Sequence, residues 1–463
     1  MNVRSFLRTR WPNSCPDEAR TLKRCLGTFD LIFLGVGAII GTGIFVLTGT
    51  VAATHTGPAI VVSFVIAGIA CGFSALSYAE LASSVGGCGS SYGYCYAAFG
   101  ELPAWVVGWA LIMEYGVAVS LVAVGWSSYF RDIVSAIGFQ IPQALSGALA
   151  GGTVDLPAVA IVLIVMVLLM IGVSHSTKVN NAAVMIKILA LVIFVAVAFG
   201  HINPDNWVPF APFGWTGIVK GAAGIFLAYV GFDVVATAAE ETKDPEKSLP
   251  RAIIGSLVIV TVAYIVVAAV LTGIVSYQYL NVGSPVSHAL QLIGFRFASG
   301  LVAAGAIAGM TTVIITVYYG FTRVVFAMAR DGLLPDGLSL VTKNARTPAV
   351  AIAICGIPAA FAAGLVPLDS LAGLVSIGTL LAFFMVCLSV ARMRYKHPDL
   401  KRPFKTPFGI VIPVLGMISC ASLAFMLSSI TLAMFVLWQS IGLAVYLGYS
   451  VRHSGQGTKQ TPD

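Results

Sequence analysis

The sequence predicts an all-α integral membrane protein with twelve transmembrane helices, on three observations. The first is composition. Of 463 residues, 58% are hydrophobic and 10% are charged, where a soluble domain carries roughly 25% charged residues. Too little polar surface remains to cover a globule in water, so lipid is the natural solvent. The second is a series of apolar runs near the ~20 residues that a spanning helix needs. They fall at 30–53, 57–83, 102–130, 154–173, 180–199, 216–239, 249–274, 298–328, 348–366, 369–391, 408–429 and 431–451. Only helices or closed barrels satisfy their own backbone in hydrocarbon, and these runs are too long for barrel strands. The third is the distribution of Lys and Arg between the runs.

With the N-terminus inside, the inner loops and tails collect 21 basic residues, among them Arg4, Arg24, Lys178, Lys247, Arg330, Arg394 and Lys405. The outer loops hold two, Arg131 and Arg296. Cytoplasmic loops concentrate positive charge, so both termini are expected in the cytoplasm and the protein in the cell membrane. The net charge of +7 follows from the same rule and does not call for nucleic acid. Residues 1–25 contain no apolar core and read as a basic cytoplasmic tail, not a signal peptide. Residues 453–463 read as a disordered cytoplasmic tail. A short surface helix is expected around Pro285–Leu292 in the outer loop 275–297.

The chemistry is sought where helices should break. The first run reads DLIFLGVGAIIGTGIFVLTG, with Gly41-Thr42-Gly43 near its middle. Each glycine in a helix interior costs about 1 kcal/mol relative to alanine, and a pair around Thr42 favours local unwinding. Unwinding frees N–H groups at the new helix start and C=O groups at the preceding end. The first set, with the helix dipole, suits a carboxylate; the second suits an ammonium. The sixth run reads GAAGIFLAYVGFDVVATAAEE, with Gly231 and Asp233 near its middle. Either cluster alone fits close helix packing, as Gly37-x-x-x-Gly41 and Gly217-x-x-x-Gly221 illustrate. Interrupted helices at matching positions of two halves point to a transporter site instead.

These stretches carry a resemblance. GAIIGTGIFVLTG at 37–49 and AYVGFDVVATAAEETKDPEKSLPRAI at 228–253 resemble the amino acid–polyamine–organocation superfamily. So do FGELPAWVVGWALIMEYGVA at 99–118, RDGLLP at 330–335 and HPDLKRPFKTP at 397–407. The set is most similar to bacterial homologues of cationic amino acid transporters. The resemblance implies one transporter unit at 26–452 with a LeuT-like fold. Inverted repeats would span about 30–199 and 216–391, five helices each, with two peripheral helices at about 408–451. It implies a substrate carboxylate on the main chain of Gly41, Thr42 and Gly43. The ammonium would meet carbonyls near Ile39, Ile40, Val230, Gly231 and Phe232, and Phe232 would act as a gate.

Three charged residues sit at membrane depth, where charge is costly and usually functional. Lys187 lies about 10 Å into the fifth helix at 1.5 Å per residue, too deep to snorkel easily. Taking an amine out of water disfavours its charged form, which suits a proton carrier; the bland reading is a structural lysine bonded to carbonyls of the first helix. The resemblance places Lys187 where sodium-coupled relatives bind a second sodium ion. Glu114, on the third helix, reads equally as a proton-linked acid or as an internal partner of Tyr115 or Tyr229. Asp233 reads as an acceptor that orders the unwound backbone of the sixth helix, more than as a direct substrate contact. Glu80 and Asp30, near helix ends, read as gate or loop salt bridges. Thr311, Thr312 and Thr316 on the eighth helix could line a sodium site, or bond back to their own helix.

The expected activity is therefore uptake of L-amino acids by proton symport through alternating access, with the proton as coupling ion and sodium not expected. An exchanger or uniporter of amino acids or polyamines, or a membrane sensor, are the alternatives. None of the six histidines pairs with a second ligand and no C-x-x-C pattern occurs among the eight cysteines, so no metal or cofactor is expected. No nucleophile–base pair suggests an enzyme. The expected partners are the amino acid and the lipid bilayer, with no nucleic acid. A monomer is expected, with room for a small regulatory subunit.

Overall fold

The computed structural model describes residues 26–85, 91–147, 152–172, 177–237, 242–342 and 347–453. The two tails expected at 1–25 and 453–463 lie outside these residues, save for His453. Among the described residues the chain is helical throughout, without a β-strand, as the backbone demands in a solvent that offers it no hydrogen bonds.

The first span begins with α1 (Thr28–Ile39), whose N–H at Gly27 is taken by the Asp30 carboxylate. It stops at Ile40 and resumes as a widened π-turn at Gly43–Leu47, an α-turn at Thr48–Val51 and a second π-turn at Ala52–Thr56. There follow α2 (Ile60–Ser84), α3 (Ser91–Phe99), α4 (Glu101–Ala136), α5 (Leu156–Ile171) and α6 (Thr177–Ala198). The sixth span is α7 (Gly214–Gly224), a 3₁₀ turn at Phe226–Tyr229 and α8 (Phe232–Thr237). Then come α9 (Pro245–Ile274), α10 (Pro285–Leu292), α11 (Arg296–Arg330), α12 (Ala349–Leu365), α13 (Leu368–Lys396), α14 (Val411–Phe425) and α15 (Ser429–Val445).

Among the described residues seven helices are long and apolar enough to cross a membrane, and eight if the bent pair Gly214–Gly224 and Phe226–Ala236 is one span. Four shorter apolar helices, α1, α5, α12 and α14, run 10–17 residues. Their outward faces are apolar. On α6, Met185, Ile186, Leu189 and Val192 are about half exposed, while Val184, Lys187, Leu191 and Phe194 point inward at the same helical spacing. This is a multi-pass membrane protein.

The helices pack in two groups. α9 lies along α2 and α1, and α8 rests on α1, so the first, second, sixth and seventh spans form one body. α11 lies along α4, and α12 lies on α5 and α4, which gathers the third, fourth, eighth and ninth spans. α6 packs on α11 and touches α1, and α13 packs on α4 and α14. The interrupted spans belong to the first of these groups, and the break of the first span faces the second group, with Gly41 against Val313 of α11 and Thr42 against Gly125 of α4.

Two features differ from expectation. The helix at Pro285–Leu292 has the expected bounds but is not a surface helix, since Pro285, Val286, Ser287, Ala289 and Leu290 are buried. Pro285 abuts Gly49, so α10 caps the second half of the first span. The helix α3, in a loop between spans, was not anticipated. Its run of small and aromatic residues, SYGYCYAAF, has no polar face to reveal it.

Candidate functional site

Both expected interruptions are present. At the first, Ile40 adopts an extended conformation (φ −72°, ψ 101°) and α1 ends. The second half then begins at Gly41–Gly43 without a preceding turn to accept its N–H groups. At the second, Val230 is extended (φ −63°, ψ 138°), within a stretch, Phe226–Ala236, whose axis is bent by 43° from that of α7. Gly231 follows at φ +125°, a region that L side chains rarely adopt.

The two breaks touch through main chain. A Cβ on Gly43 would run into Ala228, and one on Gly231 would lie 2.8 Å from the carbonyl carbon of Ala38. Glycine is needed here for close approach as well as for conformation. Thr42 is 2% exposed and Phe232 is fully buried, so neither side of the junction is open to solvent. A surface cavity of about 340 Å³, lined by Asn206, Ile274, Tyr279 and His288, lies apart from it.

The free carbonyls at the first break are already bonded. Lys187 Nζ donates to Gly37 O at 2.6 Å and to Ile40 O at 3.0 Å. Its stem lies on Gly309 of α11, where a Cβ would stand 3.2 Å from the Lys187 Cβ. The Tyr264 hydroxyl lies 2.9 Å from Ile39 O and 2.8 Å from Ala228 O, so one proton is shared between the two breaks. Ile39 and Ile40 are thus not bare ammonium acceptors: each offers a substrate only its second lone pair. Sequence reading missed Tyr264. Its signal was a phenol in the middle of an otherwise apolar span, where a buried hydroxyl needs a partner.

At the second break Asp233 is 7% exposed and accepts from the Gly231 N–H at 3.2 Å and from the Tyr115 hydroxyl at 3.0 Å. The Phe232 ring sits 5.6 Å from Tyr78 and 4.9 Å from Phe383.

Glu114 is buried on α4, but neither tyrosine expected beside it is its partner. Tyr115 turns to Asp233, and Tyr229 donates to Phe64 O. Glu114 Oε1 accepts instead from Thr379 of α13 at 2.7 Å. Gly378 makes this contact possible, since a Cβ there would come 2.9 Å from the Glu114 Cβ. Residue spacing along α4 could not reveal a partner 265 positions away.

The threonines of α11 bond back to their own helix. Thr311, Thr312 and Thr316 donate to Ile307 O, Gly309 O and Thr312 O. Trp126 further donates to the Thr311 hydroxyl. Among the described residues no group of three or more His, Cys, Asp or Glu is placed to hold a metal ion.

Two broken helices thus meet through main chain beside one buried lysine and one buried aspartate, and the sequence places the chain in a family. Residues 26–451 match the amino acid permease family. The chain belongs to that family. It is 49% identical over 441 residues to the branched-chain amino acid permease BcaP of Bacillus subtilis, covering 94% of this chain and 95% of the relative. It is 45% identical over 444 residues to the methylthioribose transporter of the same organism, covering 95% and 96%. Human cationic amino acid transporter 4 is 37% identical over 384 residues, covering 81% of this chain and 60% of the relative. The permease is a transporter and not an enzyme.

Proposed function

We propose that this permease takes up neutral L-amino acids with aliphatic side chains by proton symport, through alternating access in the cell membrane. The observation that carries the proposal is the Lys187 ammonium on Gly37 O and Ile40 O, at the break of the first span. A cation held there by two carbonyls fills the place a sodium ion would need, and it can give up its proton. Loss of that proton takes the charge out of both hydrogen bonds, which weakens the hold on the two carbonyls and lets the first span shift relative to α6. Proton transfer is thereby tied to the strand of main chain that holds the substrate.

In this reading Gly41, Thr42 and Gly43 bind the carboxylate. The second lone pairs of Ile39 and Ile40, with the main chain of Val230, Gly231 and Phe232, bind the ammonium. Asp233 orders the second break, Phe232 gates it, and Glu114 is a second proton-linked acid. Asp233 is already engaged by the Gly231 N–H and the Tyr115 hydroxyl, which favours neutral substrates. The name of the branched-chain relative agrees with that choice. The twelve expected spans would form two inverted five-helix repeats and two peripheral helices, within one unit at 26–452 and with both termini cytoplasmic. The two packing groups support rocking of the first, second, sixth and seventh spans against the third, fourth, eighth and ninth. The working unit is a monomer in the bilayer and needs no sodium.

The relative named for methylthioribose supports a second reading, a thiosugar carrier. Purified protein in liposomes decides between them. An inward proton gradient should drive accumulation of labelled leucine, equally with and without sodium. Methylthioribose in excess should not compete. Uptake of methylthioribose and not leucine would establish the second reading, and sodium dependence would remove the role given to Lys187.

A further inference from the structure

One carboxylate outside the substrate junction is buried among an unusual number of donors. Glu80, near the last turn of α2, is 1% exposed. Its Oε1 accepts from Arg394 Nε at 2.9 Å, and its Oε2 from Arg394 Nη2 at 2.5 Å. Oε2 also accepts from the Thr406 N–H at 2.8 Å and the Thr406 hydroxyl at 2.6 Å. Arg402 Nε stands 3.5 Å from Oε1. A single side chain of α2 therefore holds the end of α13 and the segment leading to α14.

That end of α13 is fixed on its other sides as well. Arg402 donates to Met393 O and His397 O, and so caps the last carbonyls of α13. Arg392 donates to Ala98 O at 3.1 Å and lies 5.3 Å over the Phe99 ring, which fastens α3. Two residues before Glu80, Tyr78 packs on Phe383 of α13 at 5.4 Å and on Phe232 at 5.6 Å. α2 and α13 thus close on each other twice, once through rings beside the second break and once through ions at their ends. Phe232 lies against the ring closure, on Tyr78 and Phe383.

We propose that the Glu80–Arg394–Thr406 node is a latch that keeps this path shut, and that it opens when substrate leaves toward the cytoplasm. The inference rests on the alternating-access reading above, and makes Glu80 a positioning residue that touches no substrate. Apolar packing would join the two helices more simply. An ionic, multiply hydrogen-bonded contact forms in one register, lapses when either helix moves, and re-forms on return. The exposures suit release: the Arg394 side chain is 21% exposed against 2% for Glu80, so the guanidinium already borders water. When α2 moves away, Glu80 enters a water-filled path and needs no new protein partner.

The test uses full-length wild type, Glu80→Gln and Thr406→Val in proteoliposomes. Wild type must first accumulate leucine; if it does not, the transport reading fails and not the latch. Hydrogen–deuterium exchange by mass spectrometry is then compared. Both variants are expected to exchange several-fold faster across 226–237 and at the wild-type rate across 285–292, with Glu80→Gln the larger. Because the outward-competent state is less populated, KM for uptake should rise several-fold, while efflux of preloaded leucine stays at least as fast as in wild type. A purely structural role would lower the amount of active protein, and so kcat, with KM and exchange at 226–237 unchanged; that result overturns the proposal. Should Glu80→Gln fail to fold, Thr406→Val alone decides, and wild-type exchange and KM in that variant also overturn it.

Discussion

The two broken spans solve one problem with opposite charges. At the first break the exposed ends are carbonyls, and they are met by donors: the Lys187 ammonium on Gly37 O and Ile40 O, and the Tyr264 hydroxyl on Ile39 O. At the second the needy group is the Gly231 N–H, and it is met by the Asp233 carboxylate. The donor at the first break comes from another helix, α6, while the acceptor at the second comes from two residues along the same span. The first break is therefore held wholly from other helices, while the second has an acceptor of its own, which Tyr115 of α4 then steadies. On the proposed coupling, a proton leaving Lys187 would change how α6 holds the first span, while the second would keep its own acceptor. Tyr264 links them, reaching both Ile39 O and Ala228 O.

Substitutions can break this comparison in order of effect. The largest is expected of Lys187→Ala, which should abolish proton-driven accumulation of leucine while binding stays measurable in a thermal-shift titration. Unchanged accumulation would show that the first break is not the coupled one. Gly231→Ala comes next. A side chain held at φ +125° costs about 1–3 kcal/mol, and its Cβ also meets Ala38. Melting temperature and uptake should both fall, and a variant with wild-type values would mean the second break is pliable. Tyr264→Phe leaves two buried carbonyls without their shared donor, a loss of about 1–3 kcal/mol. It should destabilise the protein and slow uptake without changing the response to sodium. The smallest effect is expected of Thr312→Val, since that hydroxyl serves only its own helix at Gly309 O. Leucine uptake should be near wild type with or without sodium.

Much of this was legible in the sequence, for physical reasons that differ by region. The all-helical membrane class was readable because hydrocarbon demands long apolar runs, of which seven or eight reach spanning length among the described residues, and the breaks because Gly41-Thr42-Gly43 and Gly231 are poor helix formers in otherwise strong helices. Lys187 stood out because a charge at that depth must find partners, and the carbonyls of Gly37 and Ile40 supply them. The partners of buried polar groups were not readable. Thr379 meets Glu114, and Arg394 meets Glu80 across 314 positions, through packing that no local pattern encodes. Tyr115 shows the error this causes: adjacency to Glu114 suggested a pair, but successive helical residues point to different faces, and its hydroxyl reaches Asp233. The acceptors Ile39 and Ile40 were placed correctly at the break, yet their occupation by Tyr264 and Lys187 depends on how α9 and α6 lie against α1.

The central claim is that unwound main chain, and not a side chain, grips the two ends of an amino acid. Competition against labelled leucine uptake in proteoliposomes tests it most directly, using leucine, isovalerate and isoamylamine in equal excess. Leucine alone should block uptake, because each of the other two satisfies only one of the paired polar ends. Strong inhibition by isovalerate or isoamylamine would contradict the claim and place recognition on the aliphatic chain.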